Sequence, residues 1–135
     1  MVYGNPRDLF DRMKDEWLAN PPEPSGEHLA DDVVIEMPFA PPGARNRFEG
    51  KCDFLEFARG ARAGFPARLD DCRIIAVHDT AEPGTIVVEY ELSGTSLIDG
   101  ARATAGFVVV LGARDGKITL WREYQNVAAL RRALA

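Results

Sequence analysis

The second half of the chain contains four strand-like segments separated by short turns. These segments are rich in β-branched and aromatic residues and cover residues 68–79, 85–95, 101–113 and 117–125. The turns between them are Glu82-Pro83-Gly84, Asp99-Gly100 and Asp115-Gly116. Connections this short join antiparallel neighbours in a sheet. The pattern therefore predicts an antiparallel meander, and any fold of this chain must be built around a long sheet.

The first half of the chain predicts two amphipathic helices. The first begins at Asn5-Pro6, ends before Pro21 and places one apolar stripe on a single face, formed by Leu9, Phe10, Met13, Trp17 and Leu18. The second spans Lys51 to Ala63 and ends at Gly64. Between them, we expect a short capped helix from Ser25 through Ala30, a strand from Val33 to Met37 and a loop at Pro41-Pro42-Gly43.

Helices followed by a run of strands indicate an α+β fold. The sheet must bury one face against the helices, and so few helices can cover a sheet this long only if the sheet curls around them. We therefore expect a curved antiparallel or mixed sheet wrapped around the N-terminal helices. Such an arrangement encloses an apolar pocket, the usual form of a small-molecule site.

The last strand carries a glutamate in an apolar, aromatic run. Strict alternation places Thr119, Trp121 and Glu123 on one side, and Ile118, Leu120, Arg122 and Tyr124 on the other. An interior glutamate must find a partner or shift its pKa upward, which suits a carboxyl group to acid or base catalysis. The alternative is a carboxylate satisfied by Arg122, by Trp121 or by a tyrosine hydroxyl.

Length and composition limit the class of protein. The chain has 135 residues, which predicts a single domain over residues 1–135. A net charge of −5 does not favour nucleic-acid binding. Cys52 and Cys72 lie far apart without metal or redox spacing, and no cofactor motif is present, so we expect no metal and no cofactor. The N-terminus lacks an apolar signal region and the longest aliphatic or aromatic run is residues 107–111, so we expect a cytoplasmic protein without a membrane role.

Three patches of the chain resemble the nuclear transport factor 2-like superfamily in its SnoaL-like branch. They are Leu29 to Pro38, the Phe48-Glu49-Gly50 turn that leads into the Lys51 helix, and Gly116 to Tyr124. The resemblance covers almost the whole chain and implies a cone-shaped α+β barrel with a hydrophobic pocket, commonly a homodimer. It also implies a role in secondary metabolism, because the branch includes SnoaL-type polyketide cyclases and phenazine-biosynthesis A/B proteins.

The ketosteroid isomerases of the same superfamily provide a pattern that this chain does not meet. Their catalytic aspartate falls at Met37, their oxyanion-hole tyrosine near Met13, and their second acid within the apolar residues 107–110. A methionine cannot abstract a proton, and without acid donors a dienolate is not stabilised.

Two other patterns within the superfamily fit in part. Limonene epoxide hydrolases use an Asp-Arg-Asp set, for which Glu123 and Glu91 match the acids while Glu89 occupies the arginine position. The phenazine A/B pattern matches Arg122 to Asn126, although its pocket histidine falls at about Asp70. The resemblance therefore implies Glu123 as the acid of a phenazine A/B-like or cyclase-like site.

The candidate catalytic residues are accordingly Glu123, Glu91 and Asp70. Glu91 shares a face with Glu89, and the alternative is an outward stripe facing solvent or a dimer partner. The alternative for Asp70 is a surface charge at a strand start. The candidate substrate-binding residues are large apolar or aromatic side chains, with Phe39 as a gate, namely Trp121, Phe39, Met37, Met13, Trp17, Phe57, Tyr90 and Phe107.

Two functions remain open at the level of sequence. The first is a cofactor-independent enzyme that acts on a hydrophobic, cyclic or polyketide-like metabolite, with Glu123 moving a proton in a cyclisation, isomerisation or dehydration. It predicts a cavity with Glu123 at its wall. The second is a non-catalytic binding or dimeric assembly module, which predicts a fully paired Glu123 and a small cavity.

Overall fold

The computed structural model describes residues 5–19 and 24–134. Within these residues the chain forms three helices and six strands. The helices are α1 (Pro6–Leu18), α2 (Lys51–Ala63) and α3 (Val127–Leu134). The strands are β1 (Leu29–Glu36), β2 (Arg47–Glu49), β3 (Ala67–Asp79), β4 (Thr85–Ser96), β5 (Arg102–Arg114) and β6 (Lys117–Gln125). None of the helices in the described part of the chain is long and apolar enough to cross a membrane.

The six strands form one mixed sheet in the order β2-β1-β6-β5-β4-β3. Strands β3 to β6 pair antiparallel in sequence order, so the predicted meander is confirmed. Strand β1 adds to it in parallel with β6, which makes β6 an interior strand. The sheet does not close on itself, and β2 and β3 are its edges. The predicted α+β fold is confirmed, with a mixed and open sheet.

The two predicted N-terminal helices form as expected. The side chain of Asn5 accepts a hydrogen bond from the backbone N–H of Asp8 at 2.9 Å, and Pro6 occupies the first turn of α1. This is the arrangement that caps a helix and starts it with a preset φ. Helix α2 covers the predicted range from Lys51 to Ala63.

The core lies on one face of the sheet, under the helices. Leu9 and Phe10 of α1 are buried there against residues from four neighbouring strands. The apolar sheet residues that are no more than 3% exposed are Leu29, Val33, Ile35, Phe48, Val88, Tyr90, Val109, Leu111 and Ile118. Since Leu130 of α3 also packs on this cluster, every helix of the described residues covers the same face.

The region between α1 and α2 differs from the prediction. The short helix expected from Ser25 to Ala30 is a turn, in which the N–H of Leu29 donates to the carbonyl of Gly26 at 3.1 Å. Strand β1 begins at Leu29 rather than Val33, because Leu29 pairs with Ile118 of β6. The residues predicted as a turn at Phe48 include the edge strand β2. In each case pairing with a distant strand overrides the local preference.

The alternation predicted for β6 fails at its start. Ile118 was expected on the side opposite Trp121, yet both belong to the same buried core cluster. Gly112 and Ala113 are adjacent in β5, and their partners in β6 are Leu120 and Ile118. Thr119 lies between these two partners and is therefore an extra residue in β6. A β-bulge of this kind places two residues opposite one and reverses the alternation.

Candidate functional site

Glu123 lies on the interior strand β6 and on the face that carries the core. Trp121, Glu123 and Gln125 are spaced by two residues, so their side chains share one face of the strand. Trp121 is 6% exposed, whereas Glu123 and Gln125 are half-buried. The bulge at Thr119 determines which face this is, because it sets the phase of the rest of the strand.

The carboxylate of Glu123 accepts three hydrogen bonds. The hydroxyl of Tyr90 and the indole Nε1 of Trp121, the latter at 3.3 Å, donate to Oε1. The amide Nε2 of Gln125 donates to Oε2 at 2.9 Å and also lies 3.6 Å from Sδ of Met37. A carboxylate offers roughly four lone-pair positions, so one position on Oε2 is open to a further donor.

No arginine is among these partners of Glu123. Arg122 lies on the opposite face of β6, where its Nη2 is 3.2 Å from Oε1 of Glu36. Arg47 contacts the other oxygen of Glu36 at 3.2 Å. Of the partners expected for Glu123, the indole of Trp121 and a tyrosine hydroxyl contact its carboxylate. The guanidinium of Arg122 binds Glu36 instead.

Tyr90 reaches Glu123 from a different strand. Tyr90 pairs with Phe107 of β5, and Phe107 pairs with Gln125 of β6, so the phenol extends across β5 to the carboxylate. Tyr90 is 0% exposed and its ring lies 5.0 Å from that of Phe10. Burial, with the negative charge of Glu123 added to it, raises the pKa of Tyr90 well above its ordinary value. The phenol is therefore a neutral donor at neutral pH.

A cavity of about 220 Å³ lies beside Glu123, between the sheet and the first two helices. The helices contribute Met13 and Trp17 from α1 and Phe54, Phe57, Ala58 and Ala61 from α2. The sheet side contributes Leu29, Ile35, Met37, Leu92, Trp121 and Glu123. Glu123 is the only ionisable side chain in this set. We call this space the inner cavity.

The helical positions that line the inner cavity follow from helix geometry. Met13 and Trp17 are four residues apart, and so are Phe54 and Ala58, which places each pair on one face of its helix. Trp17 packs edge-on against Trp121 with ring centroids 5.6 Å apart. The aromatic side chains thus form both the core and the cavity wall.

Most of the predicted substrate-binding residues lie at or near the inner cavity. Met13, Trp17, Met37, Phe57 and Trp121 line it directly. Tyr90 contacts its carboxylate, and Phe107 lines a neighbouring cavity. Phe39 is 60% exposed and packs edge-on against Tyr124 at 5.3 Å, outside the residues that line either space.

The other two predicted acids are not brought to Glu123. Glu91 follows Tyr90 in β4 and so lies on the opposite face of the sheet, where it pairs with Arg73 at 2.7 Å. The carboxylate of Asp70 accepts hydrogen bonds from the hydroxyl of Thr95 and from Nε of Arg68, the latter at 2.8 Å. Those two contacts lower the pKa of Asp70 below its ordinary value, the Thr95 hydroxyl first.

Several residues of the site were not predicted from the sequence. Gln125 carried a signal, because it lies two residues beyond Glu123 and must share its face. Leu92 carried the same signal relative to Tyr90. The helical spacing of α2 places Ala58 on the same face as Phe54, whereas Ile35 depends on how β1 packs, which no local pattern gives. Within residues 5–19 and 24–134, no three His, Cys, Asp or Glu side chains lie together in a way that would hold a metal ion.

Comparison with known proteins agrees with this architecture. The SnoaL-like domain model matches residues 10–121. An uncharacterised PhzA/B-like protein of Pseudomonas aeruginosa is 31% identical over 93 residues, which are 69% of this chain and 64% of that protein. The chain thus aligns with just under two thirds of that relative's length.

Solved structures show the same fold. A proposed isomerase from Bacillus subtilis superimposes with a TM-score of 0.75 at 23% identity, over 94% of this chain and 87% of that one. A proposed polyketide cyclase from Pseudomonas putida gives a TM-score of 0.72 at 17% identity, over 100% of both chains. At these identities the similarity establishes architecture and not activity. The chain belongs to the SnoaL-like domain family, within the nuclear transport factor 2-like superfamily.

Proposed function

We propose that this protein binds a small hydrophobic metabolite in the inner cavity and acts on it as a cofactor-independent acid/base enzyme. One observation carries the proposal: Glu123 is the only ionisable group among the described residues that line the cavity, and only one described donor, Gln125, reaches its Oε2. A single acid held by fixed donors beside an apolar space is suited to moving a proton at a bound ligand.

The proposed step begins with the carboxylate of Glu123. Oε2 takes a proton from an acidic C–H of the ligand, which gives a neutral carboxylic acid and an enolate. The enolate then forms a new bond, shifts its double bond or expels a hydroxyl group, and Glu123 returns the proton to the ligand or to the leaving group. Cyclisation, isomerisation and dehydration differ only in that second half, so the same residue supports each.

The composition of the cavity supports a particular class of ligand. Trp121, which lines the cavity, and Gln125, which does not, already donate to Glu123. Most of the other lining side chains are aliphatic or aromatic. A site with so few donors gives modest stabilisation to an enolate oxygen. The ligand should therefore carry a C–H that is acidic by itself, as between two carbonyl groups of a polyketide-like metabolite or beside an aromatic ring.

Hydrogen–deuterium exchange tests the proton transfer without knowledge of the natural ligand. We expect the protein to accelerate exchange of the benzylic α-hydrogens of 2-tetralone in D₂O. The loss of their proton NMR signal over time measures the rate of this exchange. Glu123→Gln should lower the acceleration by at least about 100-fold, since a positioned general base contributes that much or more.

Glu91→Gln is the matched control, because Glu91 is also a β-strand glutamate but lies on the opposite face with Arg73. It should exchange at the wild-type rate. Equal rates for wild type and Glu123→Gln, in folded proteins that both bind the ketone, would contradict the proposed catalysis.

A second function is favoured by the three donors to Glu123 and by the modest size of the cavity. Under this alternative the protein is a non-catalytic binding module, and the carboxylate only orients a bound hydroxyl or N–H group. The alternative gives 2-tetralone binding without accelerated exchange. The same NMR samples therefore distinguish the two functions.

We also propose that the protein forms a homodimer, as the family resemblance implies. The face of the sheet opposite the helices supports this. It carries the half-buried Val87, Val108 and Val110, and the edge strand β3 adds Ile75, which is 49% exposed at a shift in the pairing of β3 with β4. These apolar side chains are interleaved with the ion pair between Arg73 and Glu91.

A further inference from the structure

A second cavity, of about 300 Å³, lies beside the inner one. Its walls include Phe65 from the loop before β3, Leu69 near the start of β3, Ala103 and Phe107 of β5, and Leu130 of α3. Ile98, in the turn after β4, is 84% exposed and also contributes. Among the residues that the structure describes, none of those lining this space is ionisable. We call it the outer cavity.

Two residues line both cavities, Ala61 of α2 and Leu92 of β4. They therefore lie at the boundary between the spaces. Leu92 follows Tyr90 by two residues and so points to the same face of the sheet as the phenol that bonds Glu123. Ala61 is exposed and carries only a methyl group, so little side-chain material separates the two spaces on the helix side.

The volumes of the two cavities favour a single binding site that includes both. Pockets for small ligands generally hold about 300–1,000 Å³. The inner cavity, at about 220 Å³, is below this range by itself, while the outer cavity adds about 300 Å³. A ligand of ordinary metabolite size that reaches Glu123 therefore gains the room it needs by extending past Leu92 into the outer cavity.

We propose that the inner and outer cavities are two compartments of one binding site, with Ala61 and Leu92 at the passage between them. The ligand is an elongated amphipathic molecule. Its polar, reacting end lies at Glu123 and its uncharged apolar end fills the outer cavity. This inference rests on the proposed function, because it specifies the ligand of the same site.

The chemistry of the outer walls defines that apolar end. The hydroxyl groups there come from Ser96 and Thr104. The hydroxyl of Thr104 forms a hydrogen bond with the hydroxyl of Ser93 at 2.9 Å. Because the described walls carry no charge that could neutralise an ionic group, burial of a carboxylate or phosphate against them would be costly. An alkyl chain or an unsubstituted ring therefore suits the outer cavity, and the charged or hydrogen-bonding groups of the ligand belong elsewhere.

The chain supplies its own reporter for the experiment. It contains two tryptophans, Trp17 and Trp121, and both line the inner cavity. The probes are primary alkan-1-ols of increasing length, from butanol to decanol, whose hydroxyl group can donate to Oε2 of Glu123. The change in tryptophan emission gives the affinity of each probe.

In the wild type we expect affinity to rise about fourfold per methylene through the series, since each buried methylene adds a similar increment. Ala61→Leu narrows the passage, so the rise should stop at a shorter chain. Ala63→Leu is the matched control, because Ala63 is on the same helix and lines neither cavity. It should retain the wild-type length dependence.

Ala103→Leu provides a second test, because Ala103 lines only the outer cavity. It should bind short alcohols with wild-type affinity and lose at least tenfold for octanol and decanol. An unchanged length dependence in both folded variants would overturn the two-compartment site while short alcohols still bind at Glu123. Absence of an emission change with every alcohol would overturn the proposed function as well.

Discussion

Tyr90 combines complete burial with a hydrogen bond to a carboxylate, and this has a consequence for stability at high pH. Because its pKa is raised above the ordinary 10.0, the folded protein retains the phenolic proton where the unfolded chain has lost it. The stabilisation is complete below about pH 10 and is lost as pH rises further. Above that value the free energy of unfolding should fall by about 1.4 kcal/mol per pH unit from this group alone.

Tyr90→Phe should remove that dependence. At pH 8 the variant should be less stable by roughly 1.5–3 kcal/mol, the range for a hydrogen bond to a charged group, and the deficit should shrink between pH 10 and 11. Urea denaturation at each pH gives the comparison. Cys72, whose pKa is raised to about 11 chiefly by burial, adds its own dependence to both proteins and cancels in the difference. Tyr124→Phe, on the other face of the sheet, should lose stability with pH above pH 10 as steeply as the wild type. If Tyr90→Phe also kept the wild-type slope, the pH dependence would not come from Tyr90.

At the residue scale, the sequence could identify Glu123 and only part of its surroundings. Trp121 was expected as a donor because it shares the face of Glu123, and Gln125 obeys the same rule. Tyr90 is 33 residues away, and its contact depends on β5 lying between β4 and β6. Glu91 shows the limit of the approach. Alternation gave its relation to Tyr90 correctly, but only the packing of the helices determines which of the two faces is the interior.

Helix α3 offers a prediction at the scale of elements. The side chain of Asn126 accepts a hydrogen bond from the backbone N–H of Ala129 at 3.1 Å, which caps the helix at its first turn. The same helix supplies Leu130 to the outer cavity. Asn126→Ala should therefore lower the stability of α3 by about 1 kcal/mol. Hydrogen exchange should show faster exchange of the α3 amides, with the amides of β5 and β6 unchanged.

Asn126→Ser keeps a side-chain oxygen at the cap and should restore protection. Asn5→Ala removes the equivalent cap from α1 and serves as the comparison, because it should affect the amides of α1 and leave those of α3 protected. Unchanged α3 protection in Asn126→Ala would show that packing, and not the cap, holds this helix.

Elements with strong local signals were predicted well. The turn dipeptides placed the strands of the meander within about two residues, and the Asn5-Pro6 pair placed the start of α1. The start of β1, the short strand β2 and the bulge at Thr119 were not foreseen, since each exists because of a partner strand distant in the sequence. The bulge matters most, because it decides which face of β6 points toward the cavity.

The helices of the described residues pack on one face of the sheet and leave the opposite face without a covering layer. A stable dimer buries about 800 Å² on each partner. The sheet face opposite the helices is the surface that such an interface would cover, since it carries the half-buried valines and Ile75 is exposed on the edge strand β3 beside it.

Sedimentation equilibrium tests this at the scale of the whole molecule. We expect a mass of twice 14.9 kDa at micromolar concentration. Ile75→Lys should shift the protein toward monomer by at least tenfold in the dissociation constant, because a lysine at an apolar interface must be desolvated without a partner. Leu97→Lys is the control, since Leu97 is 65% exposed at the far end of β4 and should leave the mass unchanged. A monomeric wild type would contradict the dimer, and dissociation by Leu97→Lys alone would instead place the interface at the mouth of the outer cavity.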